Sequence, residues 1–215
     1  EEVPREQLGI VVRQLIDVSQ QAGRADDMLR WYRMLACEVE PSRGTLLNLL
    51  RLAVDHQAAP IASEATSRIR TLEGENSPYA AFAETLTELC TSPDTTATVR
   101  QARDAVGKLA RQTPHEPAFW IEFGRLNEQT GRTDEAINAY LEAVDRGAAN
   151  PALLRRLMPL LAKQQRYGEI GLLKDQLARA AGHSPLMGQL LIEATVLSGD
   201  GDAAANQLER FGEGG

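Results

Sequence analysis

The sequence predicts an all-α protein, a solenoid of about six helix–turn–helix pairs. Three observations predict it. Ala and Leu are abundant and aromatics make up only 5% of residues, a composition that favours helix over strand. Polar or glycine breaks recur at a step of 34 residues in each half of the chain. Between the breaks, apolar residues return every three or four positions, as they do on one face of a helix.

The breaks form two series. Gly23, Gln57 and Thr91 are 34 apart, and so are Gly131, Gln165 and Gly199. The series differ in phase by six residues, which predicts an enlarged turn around Thr91–Thr96. A fixed period of this length marks an array of stacked helical units. The pairs are expected over about 3–40, 43–74, 77–113, 117–150, 151–184 and 185–211, forming a single array over 1–215. In the first pair Leu8, Val11, Val12, Leu15 and Val18 share one helical face, and Met28, Trp31, Tyr32 and Leu35 share the next. The third pair has the longest connection. In the fifth, Leu153, Leu157 and Leu161 precede Ile170, Leu173 and Leu177.

Punctuation follows the same plan. Gly23, Gly131 and Gly199 suit positive φ just past a helix end. Pro41, Pro60, Pro78, Pro114, Pro117, Pro151 and Pro185 sit near helix starts or linkers, where proline is tolerated. Asp26, Asp134 and Asp202 are placed to cap second helices. Pro159 falls inside a first helix, where a kink or early break is expected.

The segment Pro117–Asn150 reads PAFWIEFGRLNEQTGRTDEAINAYLEAVDRGAAN. Trp120, Gly124, Gly131, Ala136, Tyr140 and Ala143 occupy spacings that resemble the tetratricopeptide repeat of bacterial-type scaffold proteins. Phe123 stands where that family has Leu, Asn127 where it has Tyr, and the closing proline comes late, at Pro151. The resemblance implies a right-handed superhelical α-solenoid whose first helices line a concave groove. It also implies that Trp120, Gly124, Gly131, Ala136, Tyr140 and Ala143 are structural positions. A lone pair cannot bury its apolar stripe, so each leans on the next.

Charge and chemistry narrow the function. The net charge of −7 argues against non-specific nucleic-acid binding, which needs a basic surface. It also argues against docking on anionic membrane. No apolar run approaches the length of a membrane span, so no direct membrane insertion is expected in this segment. Cys37 and Cys90 lie in apolar helical stretches and are expected to be small core residues, not a disulfide. His56, His115 and His183 fall in separate linkers, and no zinc-binding spacing exists. The glycine-rich SGDGD at 198–202 lacks the later carboxylate of a calcium loop and reads as a turn. Asp134 and Glu135 suit a helix N-terminus better than a general base. No nucleophile motif appears. An enzyme, a metal site and a bound cofactor are therefore not expected.

What remains is a surface. In proteins this chain resembles, groove contacts come from fixed positions of each first helix. Those positions here hold Arg13, Asp17, Gln20, Arg51, Ile121, Arg125, Glu128, Arg155, Gln189 and Glu193. The expected role is a protein–protein interaction scaffold that holds a peptide or partner protein. The alternative is a structural segment of a larger bacterial secretion, pilus or exopolysaccharide-export assembly. A carboxylate clamp of the kind some of these domains use is not expected. Asp17 stands where Asn is needed beside Arg13; Asn48 fits, but Pro78 and Phe82 do not. The compartment, cytoplasmic or periplasmic, is open. The start at Glu1-Glu2-Val3 and the lack of a polar capping helix suggest a longer natural chain.

Overall fold

A computed structural model of the chain describes residues 5–92, 95–181, 185–199 and 201. Every regular element among them is helical. The chain divides into two compact units, Glu1–Leu109 and Ala110–Gly215, and each is described by itself.

The first unit opens with α1 (Arg5–Gln21) and α2 (Ala25–Met34), the latter prolonged by a π-helical turn, Leu35–Val39. It continues with α3 (Arg43–Asp55), α4 (Ala59–Glu73), α5 (Pro78–Thr91) and most of α6 (Thr95–Gln112). The second contains α7 (Pro117–Gln129), α8 (Thr133–Asp145), α9 (Pro151–Lys163), α10 (Tyr167–Ala181) and α11 (Pro185–Leu197). In the first unit α1 to α5 each pack on the next helix, and in the second α7 to α11 do the same; first helices of successive pairs also touch: α3 with α5, α9 with α11. This is serial stacking of thin helical layers, as a helical repeat requires.

The repeat is written into the backbone of the turns. Gly23, Gln57, Gly131, Gln165 and Gly199 all take positive φ, at 66°, 54°, 74°, 56° and 85°. Four of these turns close with the same long hydrogen bond. The amides of Arg24, Ala58, Arg132 and Arg166 donate to the carbonyls of Ser19, Ala53, Asn127 and Leu161 at 2.8–2.9 Å. That is the Schellman end of a helix, which satisfies carbonyls left over by the last turn. Three of the five positions are glycine; the glutamines at the other two have a Cβ that the left-handed region penalises. Gln165→Gly is expected to stabilise the protein by about 0.5–1 kcal/mol in a denaturant titration, after the entropy glycine adds to the unfolded chain. Gln57→Gly should gain less, because the Gln57 side-chain amide donates to the Val54 carbonyl at 3.3 Å.

Helix starts are fixed by small polar caps and prolines. Ser42 and Thr45 form a reciprocal capping box at α3, while Ser77 and Asn150 accept from the amides of Ala80 and Leu153. Pro60, Pro78, Pro117 and Pro151 occupy the first positions of their helices, where the missing N–H costs nothing. Asp26 and Asp134 are not caps: Arg24 and Arg132 hold those positions, and the acids lie in the first turn. There they face the positive end of the helix dipole instead. An arginine at the cap pairs with an acid three residues on in Arg24–Asp27, Arg132–Glu135 and Arg166–Glu169. His183 and Asp202, and the expected second helix of the sixth pair, lie outside the described residues.

The six-residue phase difference is not held in an enlarged turn. α5 runs to Thr91 and α6 begins at Thr95; α6 has 18 residues against 15 in α4 and 13 in α8. Most of the insertion is extra helix, which keeps its backbone hydrogen bonds paired.

In the first unit Leu46, Leu49, Leu50, Ala53, Ala62, Ala65, Ile69, Phe82, Ala83 and Leu86 are buried. Val12, Ile16, Leu35 and Val39 form a separate cluster between α1 and the end of α2. Val11 and Val18, expected on the core face of α1, are 48% and 51% exposed. The buried stripe is Val12, Ile16 and Ser19, with Leu8 and Leu15 half-buried. α1 is the first described helix and has neighbours on one side only, so its inward stripe is narrow. Cys37 and Cys90 are free and half-buried, and burial pushes both thiols up from their ordinary range. In the second unit one cluster runs from Ala136 through Tyr140, Leu157 and Ile170 to Ala194.

Candidate functional site

The structural positions of the best-formed repeat converge on one contact. Ala136, Tyr140 and Ala143 on α8 are fully buried, and Gly124 on α7 is buried opposite them. A Cβ added to Gly124 would lie no more than 2.8 Å from the Cδ1, Cε1 and Cζ atoms of the Tyr140 ring. The missing side chain is thus the space the ring occupies. Gly131 supplies the positive φ of the intervening turn. Trp120 is half-buried; its indole N–H donates to the Pro114 carbonyl at 3.0 Å, and the Arg146 guanidinium stacks on its face at 5.0 Å. The Tyr140 hydroxyl is buried and makes no hydrogen bond with a described residue, and burial holds the phenol protonated well above its ordinary range.

This packing presents the outer faces of the first helices. In the second unit the period of the array lays residues out in rows. Ile121, Arg155 and Gln189 take one repeat position on α7, α9 and α11; Arg125, Pro159 and Glu193 take the next; Glu128, Ala162 and Val196 a third. Arg155, Gln189 and Glu193 are exposed, and none has an ion pair among the described residues. Ile121 is half-buried and packs against the core, so it supports the face more than it offers itself. Arg125 is committed too: its guanidinium meets Glu122 at 3.3 Å, with side-chain exposures of 14% and 6%. Glu128 accepts from Arg156 at 2.6 Å, an ion pair that bridges α7 to α9.

In the first unit Arg13, Asp17 and Gln20 are exposed on α1, and Arg51 is exposed on α3. Arg13 pairs with Glu40, just past the π turn. Glu40 lies over buried Gly9, where a Cβ would come 2.5 Å from its Oε1 atom. Asp17, Gln20 and Arg51 make no ion pair or side-chain hydrogen bond among the described residues. The ten expected positions therefore fall in two sets, four in one unit and six in the other.

Reasoning from sequence missed Glu122, Arg156 and the place of Pro159 on the exposed face. A step of 34 from Arg125 lands on Pro159 and would have found it. Glu122 carried no such signal, because a carboxylate at 5% exposure contradicts the usual rule that acids face water. α9 runs without a break from Pro151 to Lys163, so the expected interruption is absent. Its inner face is held against α8, α10 and α11, and the exposed ring of Pro159 leaves that packing untouched. The cost is local. Pro159 has no N–H, so the Arg155 carbonyl lacks the partner an α-helix would supply.

Among the described residues no group of three His, Cys, Asp or Glu side chains is placed to hold a metal ion, and no helix is long and apolar enough to cross a membrane. Stacked helix pairs with shared turns and a small-residue seam define a helical-repeat protein. The chain belongs to the tetratricopeptide repeat family, whose model matches residues 13–210. Repeats of this family generally mediate protein–protein interaction and are typically non-catalytic. No curated protein matches the sequence significantly. Among solved structures, a thermophilic tetratricopeptide protein of Thermus thermophilus is similar at 16% identity and a TM-score of 0.52, over 88% of this chain and 98% of that one. The Cut9–Hcn1 hetero-tetramer of the APC/C contains a similar chain, at 19% identity and a TM-score of 0.52, over 87% of this chain and 35% of that one. At these identities the likeness is one of fold.

Proposed function

We propose that the protein is a scaffold that holds an extended peptide or a segment of a partner protein against the first helices of its second unit. The observation that carries this is the row of polar groups on α9 and α11. Arg155, Gln189 and Glu193 are exposed there and free of ion pairs with described residues. The Arg155 carbonyl, which Pro159 leaves without its usual helical donor, adds a main-chain acceptor on the same helix. A guanidinium, a carboxylate, an amide and a carbonyl together match the donors and acceptors of a peptide and its charged side chains. That the pairs belong to a single repeat array over 1–215 is part of this proposal and rests on the 34-residue step within each half.

Arg155→Glu combined with Glu193→Lys reverses the polarity of the face without touching the core. The variant is expected to keep its helical circular dichroism and melting temperature. It should lose at least about tenfold in the yield of a partner captured from the source cell by the unaltered protein. Equal yields of the same partner would remove this face from the proposal. Arg125→Glu is the wrong probe: it would set two carboxylates side by side at a buried position, and loss of binding would then reflect loss of fold.

A further inference from the structure

We propose that the cleft between α2 and α4 binds a segment of another protein that is apolar in its middle and cationic at both ends. The cleft has a volume of about 680 Å³, within the range of sites that enclose a ligand. Trp31 and Met34 from α2, and Pro60 and Ile61 from α4, give it a partly exposed apolar wall. It lies between second helices, so it does not rest on the first-helix reading above.

Its charges are arranged in a way that selects the occupant. Glu64 accepts from Arg33 at 2.6 Å and from Arg68 at 3.4 Å, and Arg68 also donates to the Cys37 carbonyl of the π turn at 3.1 Å. The Glu64 carboxyl is held below its ordinary range, chiefly by the Arg33 hydrogen bond. With two guanidiniums against one carboxylate, that network leaves the floor one net positive charge. Arg30 lies over the Trp31 ring at 5.0 Å, so a cation already covers the middle of the cleft and a second one there would be repelled. Asp26 and Glu38 line its two ends; both are exposed and neither has an ion pair among the described residues. They are twelve residues apart along a continuous helical stretch, roughly 18 Å at the rise of an α-helix. An extended segment of about five or six residues spans that distance. Apolar side chains on the wall and a Lys or Arg at each end would complete both carboxylates. The net charge of −7 draws such a segment in at long range.

The test is a titration of the whole ¹⁵N-labelled chain, followed by amide shifts. The probe is an acetylated, amidated hexapeptide, Lys-Leu-Ala-Leu-Ala-Lys; its counterpart carries Glu at both ends. The lysine peptide is expected to bind saturably and to move the amides of Trp31, Met34 and Ile61. The glutamate peptide should not. Asp26→Asn with Glu38→Gln keeps side-chain shape and should weaken the lysine peptide about tenfold; Ile61→Ala should weaken it with the ends intact. Equal binding of the two peptides, shifts confined to other helices, or no saturation at millimolar peptide would overturn the proposal. So would movement of the same amides when the protein alone is concentrated, which would make a second copy the occupant.

Discussion

Gly124→Val is expected to destabilise the second unit by more than about 3 kcal/mol, because the site is already filled. Even the first added carbon would sit no more than 2.8 Å from three carbons of the Tyr140 ring, and the ring has nowhere to go: Tyr140 is fully buried against Ala136, Ala143 and Leu157 in one cluster. Gly124→Ala should cost about 1–2 kcal/mol, since the overlap is partly offset by the better helix propensity of alanine. The contact can be isolated. Tyr140→Ala alone leaves a cavity and should cost about 3–5 kcal/mol. With Tyr140→Leu in place, however, Gly124→Ala should cost much less than in the unaltered protein, a coupling a double-mutant cycle reads directly. Tyr140→Phe should be neutral or slightly stabilising, because the hydroxyl it removes is buried and has no partner among the described residues. If Gly124→Val melts with the unaltered protein, α7 and α8 do not approach closely through this glycine.

Pro159→Ala is expected to stabilise the protein by about 2 kcal/mol. A proline inside a helix costs about 3 kcal/mol, and part of this is returned because proline also restricts the unfolded chain. The substitution restores the hydrogen bond between residue 159 and the Arg155 carbonyl, and the exposed ring leaves no cavity behind. The same change withdraws that carbonyl from the face proposed to hold peptide. Higher stability with weaker partner capture is therefore the expected pair of results, from a denaturant titration and a capture experiment on one variant. Unchanged or lower stability would mean that α9 has adjusted around the proline. Higher stability with undiminished capture would remove the carbonyl from the binding face but leave Arg155 and Glu193 to be tested separately.

Much of the fold was legible because it is carried by short-range rules. At five of the six breaks the 34-residue step corresponds in the structure to a left-handed residue, Thr91 at the end of α5 being the exception, and the helix ends follow from serine, asparagine and proline at their starts. The apolar residues of α9 and α10, Leu153, Leu157, Leu161, Ile170, Leu173 and Leu177, are all buried as their spacing required. α1 was less legible. Val11 and Val12 are equally apolar, yet Val12 is 1% exposed and Val11 is 48% exposed, and only the direction of the neighbouring helix separates them. The turn expected around Thr91–Thr96 failed for a related reason. A count of residues between breaks cannot tell a longer loop from a longer helix, and here α6 took most of the insertion.

The candidate surface divides in the same way. Periodicity placed Arg155 and Gln189 at equivalent points of successive first helices, with Glu193 one turn further along α11, since equal spacing on equal helices gives equal direction. It could not say that Arg125 would be half-buried against Glu122, or that Arg156 and not Arg155 would reach Glu128. Those pairings depend on how far apart α7 and α9 stand, a distance set by side chains remote in sequence. Local chemistry thus determined the helices, their turns and the recurring plan. Tertiary packing alone decided which charges were consumed as struts and which stayed exposed without an ion pair among the described residues, because an ion pair between helices exists only once the cores behind them have fixed their separation.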